Sequence, residues 1–304
     1  MNNLNSKKHT EIIQNPKSEI QNLPIGIFDS GVGGLTVYRA LHERLPNEHF
    51  IYLGDTARVP YGTKSLATVE RYAIENSQFL VSRGIKMLVV ACNTASALAL
   101  PKIREKIGIE VVGVIGPGAR LAVEITKDKP RPKIGVIATE ATVSSRAYSE
   151  AIRKVSNSAE IIETACPLFV SLAEENWTTE PETRSIAKKY LNEIVEREVD
   201  VLVLGCTHYP ILREIIQEIV GKKVRLIDSG EATAEEVKQL LNDKNLANEN
   251  PMPRKFERRL GDDLDHFYVT DAAERFARVA ERFLGIKPAK LEAIEVFGAD
   301  KLGI

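Results

Sequence analysis

The sequence has no excess of charge of one sign. It contains 41 basic and 42 acidic residues, a net charge of −1 over 304 residues, and no basic run that would attract nucleic acid or an anionic membrane. It also lacks a run that could cross a bilayer, because the most apolar stretch, residues 87–100, is interrupted by Asn93, Thr94 and Ser96. Neither nucleic acid nor a membrane is therefore an expected partner.

Cysteine is scarce. The three cysteines form neither an even disulfide framework nor a CxxC pair, which favours a reduced, cytoplasmic protein. Residues 1–22 have no apolar segment of the kind found in signal peptides, so export is not expected and a disordered extension is predicted.

Nucleotide-binding glycine patterns are absent. A predicted strand at 24–28 leads into a loop with the sequence Asp29-Ser-Gly-Val-Gly-Gly-Leu-Thr36, but no Lys-Ser/Thr pair follows and the GxGxxG spacing fails. The glycines still allow a tight turn and close approach of a small ligand. Asp29 is thus either a helix cap or a site residue.

What the sequence does contain is a pair of matching elements, Met87-Leu-Val-Val-Ala-Cys-Asn-Thr-Ala95 and Val201-Leu-Val-Leu-Gly-Cys-Thr-His-Tyr-Pro210. In each, an apolar strand delivers a cysteine, Cys92 or Cys206, to the start of a predicted helix. The positive end of a helix favours thiolate over thiol. Two such elements in one chain predict a pair of thiols that face each other.

The surrounding pattern also repeats. Strands predicted at 24–28, 50–54 and 87–91 are matched by strands at 133–137, 160–164 and 201–205, each followed by helical segments. This predicts an α/β protein of two similar halves, each a small, mostly parallel sheet flanked by helices. Gly116-Pro-Gly118 is interpreted as a break between the domains.

The predicted first domain comprises residues 23–116 plus 229–286, and the second comprises residues 117–228. Helices near 230–241 and after Thr270, the latter capped by Thr270 and ended by Gly285, are expected to return to the first domain. Residues 287–304 are interpreted as a tail.

Two opposed thiols suit the inversion of a carbon acid. One thiolate removes the α-hydrogen from one face while the partner thiol delivers a hydrogen to the other face. The carbanionic intermediate needs hydrogen-bond donors, and Ser30, Asn93, Thr94 and Thr207 lie in the right segments to supply them.

Six ordered strings, IGIFDSGVGGLTV, GDTARVPYG, VVACNTASA, IGVIATEATV, ACPLF and VLGCTHYP, resemble the glutamate racemase family of cofactor-independent enzymes, from about Pro24 to Gly230. The closing FYVTDAAERFARVAERFLG is similar too. The resemblance implies two pseudosymmetric α/β domains with the active site in the cleft between them. It implies interconversion of L- and D-glutamate for peptidoglycan synthesis, without a cofactor. It also implies a homodimer, and in some relatives with an N-terminal extension a cell-wall precursor acts as an allosteric effector.

By matching motif, the resemblance implies that Cys92 acts on D-glutamate and Cys206 on L-glutamate. Asp29 would assist Cys92, and His208 would assist Cys206 with Glu174 behind it, although Ser171 replaces a usual proline near Glu174. The implied substrate-binding residues are Asp29, Ser30, Tyr61, Gly62, Asn93, Thr94, Thr207 and His208.

Other interpretations remain open at this point. The third cysteine, Cys166, lies outside the matching elements and is interpreted as a small buried hydrophobe. No metal site is expected, because metal ligands usually come in closer pairs than Cys92, Cys206 and His208. A racemase of another amino acid such as aspartate, and a binding protein without catalysis, are the alternative functions.

Overall fold

The computed structural model describes residues 16–249 and 259–296. These residues form two parallel β-sheets flanked by α-helices. The strands are β1 (Ile25–Asp29), β2 (Phe50–Gly54), β3 (Met87–Val90), β4 (Glu110–Gly113), β5 (Lys133–Ala138), β6 (Glu160–Ala165), β7 (Val201–Gly205), β8 (Arg225–Asp228), β9 (His266–Val269) and β10 (Leu291–Ala293). The helices are α1 (Pro16–Gln21), α2 (Leu35–Arg44), α3 (Leu66–Ser82), α4 (Asn93–Leu98), α5 (Leu100–Lys106), α6 (Ile115–Ile125), α7 (Glu140–Ser144), α8 (Ala147–Arg153), α9 (Leu168–Glu174), α10 (Pro181–Glu196), α11 (Arg213–Val220), α12 (Ser229–Asp243) and α13 (Ala273–Leu284).

The two sheets share one strand order. The first contains β2-β1-β3-β4, and the second contains β6-β5-β7-β8, so each half repeats the same crossover pattern. Every strand pair is parallel, with Ile25 opposite both Phe50 and Met87 in the first sheet and Ile134 opposite both Ile161 and Val201 in the second. The predicted α/β fold with two pseudosymmetric halves is confirmed.

The central strands are apolar because parallel strands are covered on both faces. All four residues of β3 and all five of β7 are buried. Burying a Val, Leu or Ile side chain stabilises the fold by about 1.5–3 kcal/mol. This burial keeps the two central strands, and therefore the cysteines that follow them, in fixed positions.

The chain after the second sheet returns to the first half. Helix α12 packs against α2, and α13 packs against α2 as well, with Phe276, Val279, Ala280 and Phe283 buried as predicted. Strands β9 and β10, which were not predicted, extend the first sheet to the order β10-β9-β2-β1-β3-β4. Strand β10 lies in the segment that was interpreted as a tail.

Two local predictions are wrong. Gly116-Pro-Gly118 does not break the chain but lies in the first turns of α6, where a proline is tolerated because its missing N–H has no helical partner to lose. Thr270 does not cap α13, whose N-cap is Ala272 in a left-handed conformation. The Thr270 hydroxyl instead donates to Asp55 Oδ1 at 2.9 Å.

The predicted N-terminal extension is only partly described. Residues 1–15 lie outside the described ranges, whereas α1 is helical and the Lys86 ammonium donates to the carbonyl of Gln21 at 2.6 Å. Residues 297–304 of the predicted tail also lie outside the described ranges. Of the helices in residues 16–249 and 259–296, none has both the length and the apolar character needed to span a bilayer.

Candidate active site

The two cysteines of the matching elements occupy equivalent positions in the two halves. Cys92 follows β3 and is the N-cap of α4, and Cys206 follows β7, which holds the corresponding place in the second sheet. Both side chains are buried, with 5% and 6% exposure. The carboxyl ends of central parallel strands are where ligands bind in open α/β sheets, so both thiols lie where a site is expected.

The surroundings of Cys92 favour its neutral form. The thiol donates to the Ser30 hydroxyl at 3.4 Å, and the Ala95 N–H donates to its sulfur at 3.5 Å. Burial and then the negative charge of Asp29 raise the pKa of the Cys92 thiol to about 12, in spite of these hydrogen bonds. Cys92 is therefore a proton donor at neutral pH unless a neighbouring base takes its proton.

Asp29 is a buried acidic residue whose charge acts on the Cys92 thiol. It ends β1, is fully buried, and accepts the Gly31 N–H on Oδ2 at 3.0 Å, while Oδ1 has no hydrogen-bond partner among the described residues. Burial raises the pKa of the Asp29 carboxyl, against the opposing effect of the positive charge on His208. A buried carboxylate with a raised pKa and a free oxygen can accept a proton from a thiol.

Cys206 belongs to a three-residue relay. Its sulfur lies 3.9 Å from His208 Nδ1, and His208 Nε2 lies 3.1 Å from Glu174 Oε1. Burial alone would lower the pKa of His208, but its hydrogen bonds with Cys206 and Glu174 raise that pKa to about 10. The imidazole therefore carries a positive charge near neutral pH, and it lies 3.9 Å from the Cys206 sulfur.

The loop that follows Asp29 brings the two thiol sites against each other. A Cβ atom added at Gly33 would lie 2.4 Å from both Thr207 Oγ1 and His208 Nδ1, so only glycine leaves room for this contact. The Thr36 hydroxyl also donates to the Thr207 carbonyl at 2.9 Å. The residues around Cys92 and the residues around Cys206 consequently face the same junction between the two halves.

The predicted substrate-binding residues gather at the same junction. Thr94 Oγ1 lies 2.9 Å from Thr139 Oγ1 of the second half, and Asn93 Oδ1 accepts the Tyr148 hydroxyl at 2.7 Å. Asn93 Nδ2 is buried without a hydrogen-bond partner among the described residues. An unpaired buried amide N–H₂ is a donor available to an anionic substrate.

Tyr61 differs from the expectation for a substrate-binding side chain. Its ring is buried, its hydroxyl donates to Asp55 Oδ2, and Asn76 Nδ2 donates to the same hydroxyl at 3.0 Å. Burial, together with the nearby Asp55 charge, raises its pKa far above the usual range. Gly62, the next residue, lies against Thr139 at the junction.

Sequence reasoning missed the residues that hold this loop. Asp55 is fully buried and accepts from Asn76 Nδ2 at 3.1 Å, from Thr270 Oγ1 at 2.9 Å and from Arg58 Nε at 2.8 Å. Asp55 and Arg58 stand in the string GDTARVPYG, so an acidic and a basic residue beside a strand end were the available signal. Their partners Asn76 and Thr270 come from distant segments and gave no signal.

Cys166 packs as a buried apolar side chain in the second half, with 0% exposure. Burial raises its pKa well above the usual range for a thiol, so it is a poor nucleophile. Among residues 16–249 and 259–296, no three or more His, Cys, Asp or Glu side chains are arranged so that they could hold a metal ion.

A cleft of about 410 Å³, including space open to solvent, lies on the outer side of Glu174. It is lined by Gly31, Val32, Thr56, Val59, Glu174, Ala272, Arg275, Phe276 and Val279. Neither Cys92 nor Cys206 lines this cleft.

Comparison with known proteins finds racemases, both among family models and among individual relatives. The family model Asp/Glu/Hydantoin racemase matches residues 25–237. The glutamate racemase of Geobacter metallireducens is 49% identical over 86% of this chain and 93% of its own length. A glutamate racemase structure from Bacillus anthracis, isoform RacE1, superposes with a TM-score of 0.83 at 35% identity, covering 91% of this chain and 98% of that one.

Two further structures contain glutamate. The glutamate racemase of Francisella tularensis in complex with D-glutamate has a TM-score of 0.81 at 38% identity, covering 91% of this chain and 98% of that one. The Escherichia coli enzyme, in complex with L-glutamate and the activator UDP-MurNAc-Ala, has a TM-score of 0.70 at 32% identity, covering 91% and 100%. The matched family model and these relatives show that the chain belongs to the Asp/Glu/Hydantoin racemase family and is an amino-acid racemase.

Proposed function

We propose that this racemase interconverts L-glutamate and D-glutamate by proton transfer between the substrate α-carbon and two thiols, Cys92 and Cys206. The observation that carries the proposal is the pairing of each buried thiol with its own proton partner, Asp29 on one side and His208 with Glu174 on the other. The substrate is inferred from relatives named glutamate racemase and from solved relatives that hold D- or L-glutamate.

In the direction from L to D, the Cys206 thiolate removes the α-hydrogen of L-glutamate and becomes a thiol. Cys92, protonated because its pKa is about 12, donates its proton to the opposite face of the carbanion. The reaction ends with D-glutamate, a Cys92 thiolate and a Cys206 thiol. The reverse direction uses the same groups, and Asp29 and His208 carry the protons that restore each starting state.

The carbanion is stabilised by donors that are already oriented when the substrate arrives. Asn93 Nδ2 is unpaired and buried, the Ser30 hydroxyl lies 3.4 Å from the Cys92 sulfur, and Thr94 and Thr207 are buried close behind the two cysteines in the chain. Oriented donors in a site that excludes water stabilise developing negative charge more than water does. This accounts for a conversion that needs no further electron sink.

The test is incubation with L-glutamate in deuterium oxide, without an added cofactor, followed by circular dichroism and by NMR of the α-hydrogen. Loss of optical signal together with deuterium in D-glutamate is expected. Unchanged optical signal and an intact α-hydrogen, in protein shown to be folded, would refute the proposal. Parallel incubation with L-aspartate tests the nearest alternative substrate.

Each catalytic thiol should be indispensable. Cys92→Ala and Cys206→Ala are each expected to lower the racemisation rate by about 10²–10⁴-fold, the usual contribution of a positioned acid–base group. Cys166→Ala is the matched control, because it removes a buried thiol outside the site and should leave the rate within about twofold. A loss of less than about tenfold for either of the first two changes would contradict the two-thiol mechanism.

The proposed cellular role is the supply of D-glutamate for peptidoglycan. A cell-wall precursor is the proposed effector, since UDP-MurNAc-Ala is named as the activator in the Escherichia coli relative. Measuring the rate with and without UDP-MurNAc-Ala tests this, and an unchanged rate at saturating concentration would exclude activation. A homodimer is proposed from the family resemblance and is checked by sedimentation velocity.

A further inference from the structure

The C-terminal helix α13 contacts the Cys206 relay at three points. Arg275 Nη2 lies 3.2 Å from Glu174 Oε2, and Arg282 Nη1 donates to the Glu174 carbonyl at 2.7 Å. The Phe283 ring packs edge-on against the His208 imidazole, with centroids 5.8 Å apart and planes at 84°. A helix packed on the first half therefore contacts two members of a relay in the second half.

The Glu174 carboxylate bridges its two partners with different oxygens. Oε1 lies 3.1 Å from His208 Nε2, and Oε2 lies 3.2 Å from Arg275 Nη2. Fixing Oε2 restricts rotation of the carboxylate about its last side-chain bond, so Oε1 stays directed at the imidazole. Burial raises the pKa of Glu174, whereas His208 and, to a smaller extent, Arg275 lower it. The net result is a pKa below the usual value for a glutamate.

Arg275 contributes little to stability by this contact. Its side chain is 61% exposed, and Glu174 is 20% exposed. Ion pairs at such exposure are screened by water and salt, so they add little to the free energy of unfolding. A change at Arg275 can therefore be tested in folded protein.

We propose that Arg275 is a positioning residue for the acid–base pair His208 and Cys206: it holds the Glu174 carboxylate in the orientation that aligns the imidazole with the thiol. The inference rests on the proposed two-thiol racemisation of glutamate. Its effect should fall on the Cys206 half-reaction and leave the Cys92 half-reaction unchanged.

The two half-reactions can be separated by isotope effects. L- and D-glutamate have equal free energies, so kcat/KM must fall equally in both directions when either barrier rises. A higher barrier at Cys206 makes removal of the α-hydrogen from L-glutamate more rate-limiting, and removal from D-glutamate at Cys92 less so. The deuterium isotope effect on kcat/KM then increases for 2-deuterio-L-glutamate and decreases for 2-deuterio-D-glutamate.

The experiment compares wild-type protein with Arg275→Gln, Arg275→Lys and Arg278→Gln, using both deuterated enantiomers. Arg278 is an exposed arginine on the same helix and is the matched control. Arg275→Gln is expected to lower kcat/KM by about 3- to 30-fold, the range seen for coupled neighbours, with the opposite isotope shifts described above. Arg275→Lys should recover part of the rate, and Arg278→Gln should match wild type.

A double-mutant cycle adds an independent readout. If Arg275 acts through Glu174, then Arg275→Gln should cause less than about a twofold further loss in a Glu174→Gln background. Three isotope results would overturn the inference: equal changes for the two enantiomers, shifts in the opposite sense, or changes that also occur in Arg278→Gln. Full additivity in the double-mutant cycle would overturn it too. Failure of wild-type protein to racemise glutamate would instead refute the proposed function.

Discussion

At the scale of single residues, the two thiols reach similar positions but have different proton partners. Cys92 has a buried carboxyl nearby, and Cys206 has a charged imidazole backed by a carboxylate. The difference arises because β1 ends in Asp29, whereas the corresponding strand β5 is followed by Thr139, which caps α7. The halves repeat the backbone and the thiol, while the chemistry around each thiol is specific to that half.

The charge of His208 predicts a pH-dependent stability. A group whose pKa is higher in the folded state stabilises the fold fully below its unfolded pKa, and this contribution is lost as the pH rises through the folded pKa. For His208 this window runs from 6.5 to about 10, and the loss over it should be on the order of 2–4 kcal/mol. Urea unfolding followed by circular dichroism between these pH values measures it.

His208→Asn supplies the comparison for that measurement. The pKa of Cys92 is also raised in the folded state, so the stability that Cys92 contributes is also lost as the pH rises, but in the higher window from 9.0 to about 12. Between pH 6.5 and 9, below the Cys92 window, the free energy of unfolding of His208→Asn should therefore fall less steeply with pH than that of wild type. Equal slopes for the two proteins would show that His208 is not charged in the folded state.

At the scale of structural elements, the segment between β2 and α3 depends on one buried carboxylate. Asp55 accepts hydrogen bonds from Tyr61, Asn76, Arg58 and Thr270, and the Arg58 guanidinium is 17% exposed. These contacts join the loop to α3 and to the turn before α13. The loop is thereby held with Gly62 at the junction of the two halves.

Asp55→Ala should therefore unfold more easily and bind substrate less well. The change leaves the buried Tyr61 hydroxyl and Asn76 amide without their acceptor, whereas Arg58 keeps its ion pair with Glu75, so the free energy of unfolding should fall by about 2–4 kcal/mol. Tyr61→Phe removes two hydrogen bonds, one to Asp55 and one from Asn76, and should cost about 1–3 kcal/mol. Urea unfolding and the KM for glutamate test both variants, and a loss below about 1 kcal/mol for Asp55→Ala would contradict the role assigned to the network.

The helices and strands themselves were largely predictable from the sequence. Strands β1 to β8 have apolar runs bounded by turn residues, and α13 has a clear apolar face, because both patterns follow from the local repeat of the backbone. Strands β9 and β10 are short, four and three residues, and their place at the sheet edge depends on pairing with distant strands. The wrong assignments at Gly116–Gly118 and Thr270 also depended on partners that local pattern does not reveal.

At the scale of the whole molecule, the halves meet at a contact that tolerates no side chain at Gly33. Gly33→Ala places a methyl group against Thr207 and His208, so the halves must separate or the imidazole must move. The rate of racemisation should fall at least about tenfold, and overpacking should lower the free energy of unfolding by about 1–3 kcal/mol.

Gly108→Ala is the matched control for that change. A Cβ atom at Gly108 meets nothing within 4 Å, and its backbone is not in the left-handed region. It should therefore leave the racemisation rate and the stability near wild type. Equal rates for the Gly33 and Gly108 variants would mean that the contact between the halves can relax without loss of function.

The sequence by itself determined the two α/β halves, the delivery of Cys92 and Cys206 to equivalent strand ends, and the family to which the chain belongs. These features are encoded locally, in apolar runs and in short motifs that end at a strand. Only the tertiary structure decided that Asp55 anchors a loop, that the Tyr61 hydroxyl donates to Asp55, and that Arg275 and Phe283 contact the relay. The contacts that Thr270, Arg275 and Phe283 make join residues far apart in the chain, and they form only when the C-terminal segment packs back on the first half.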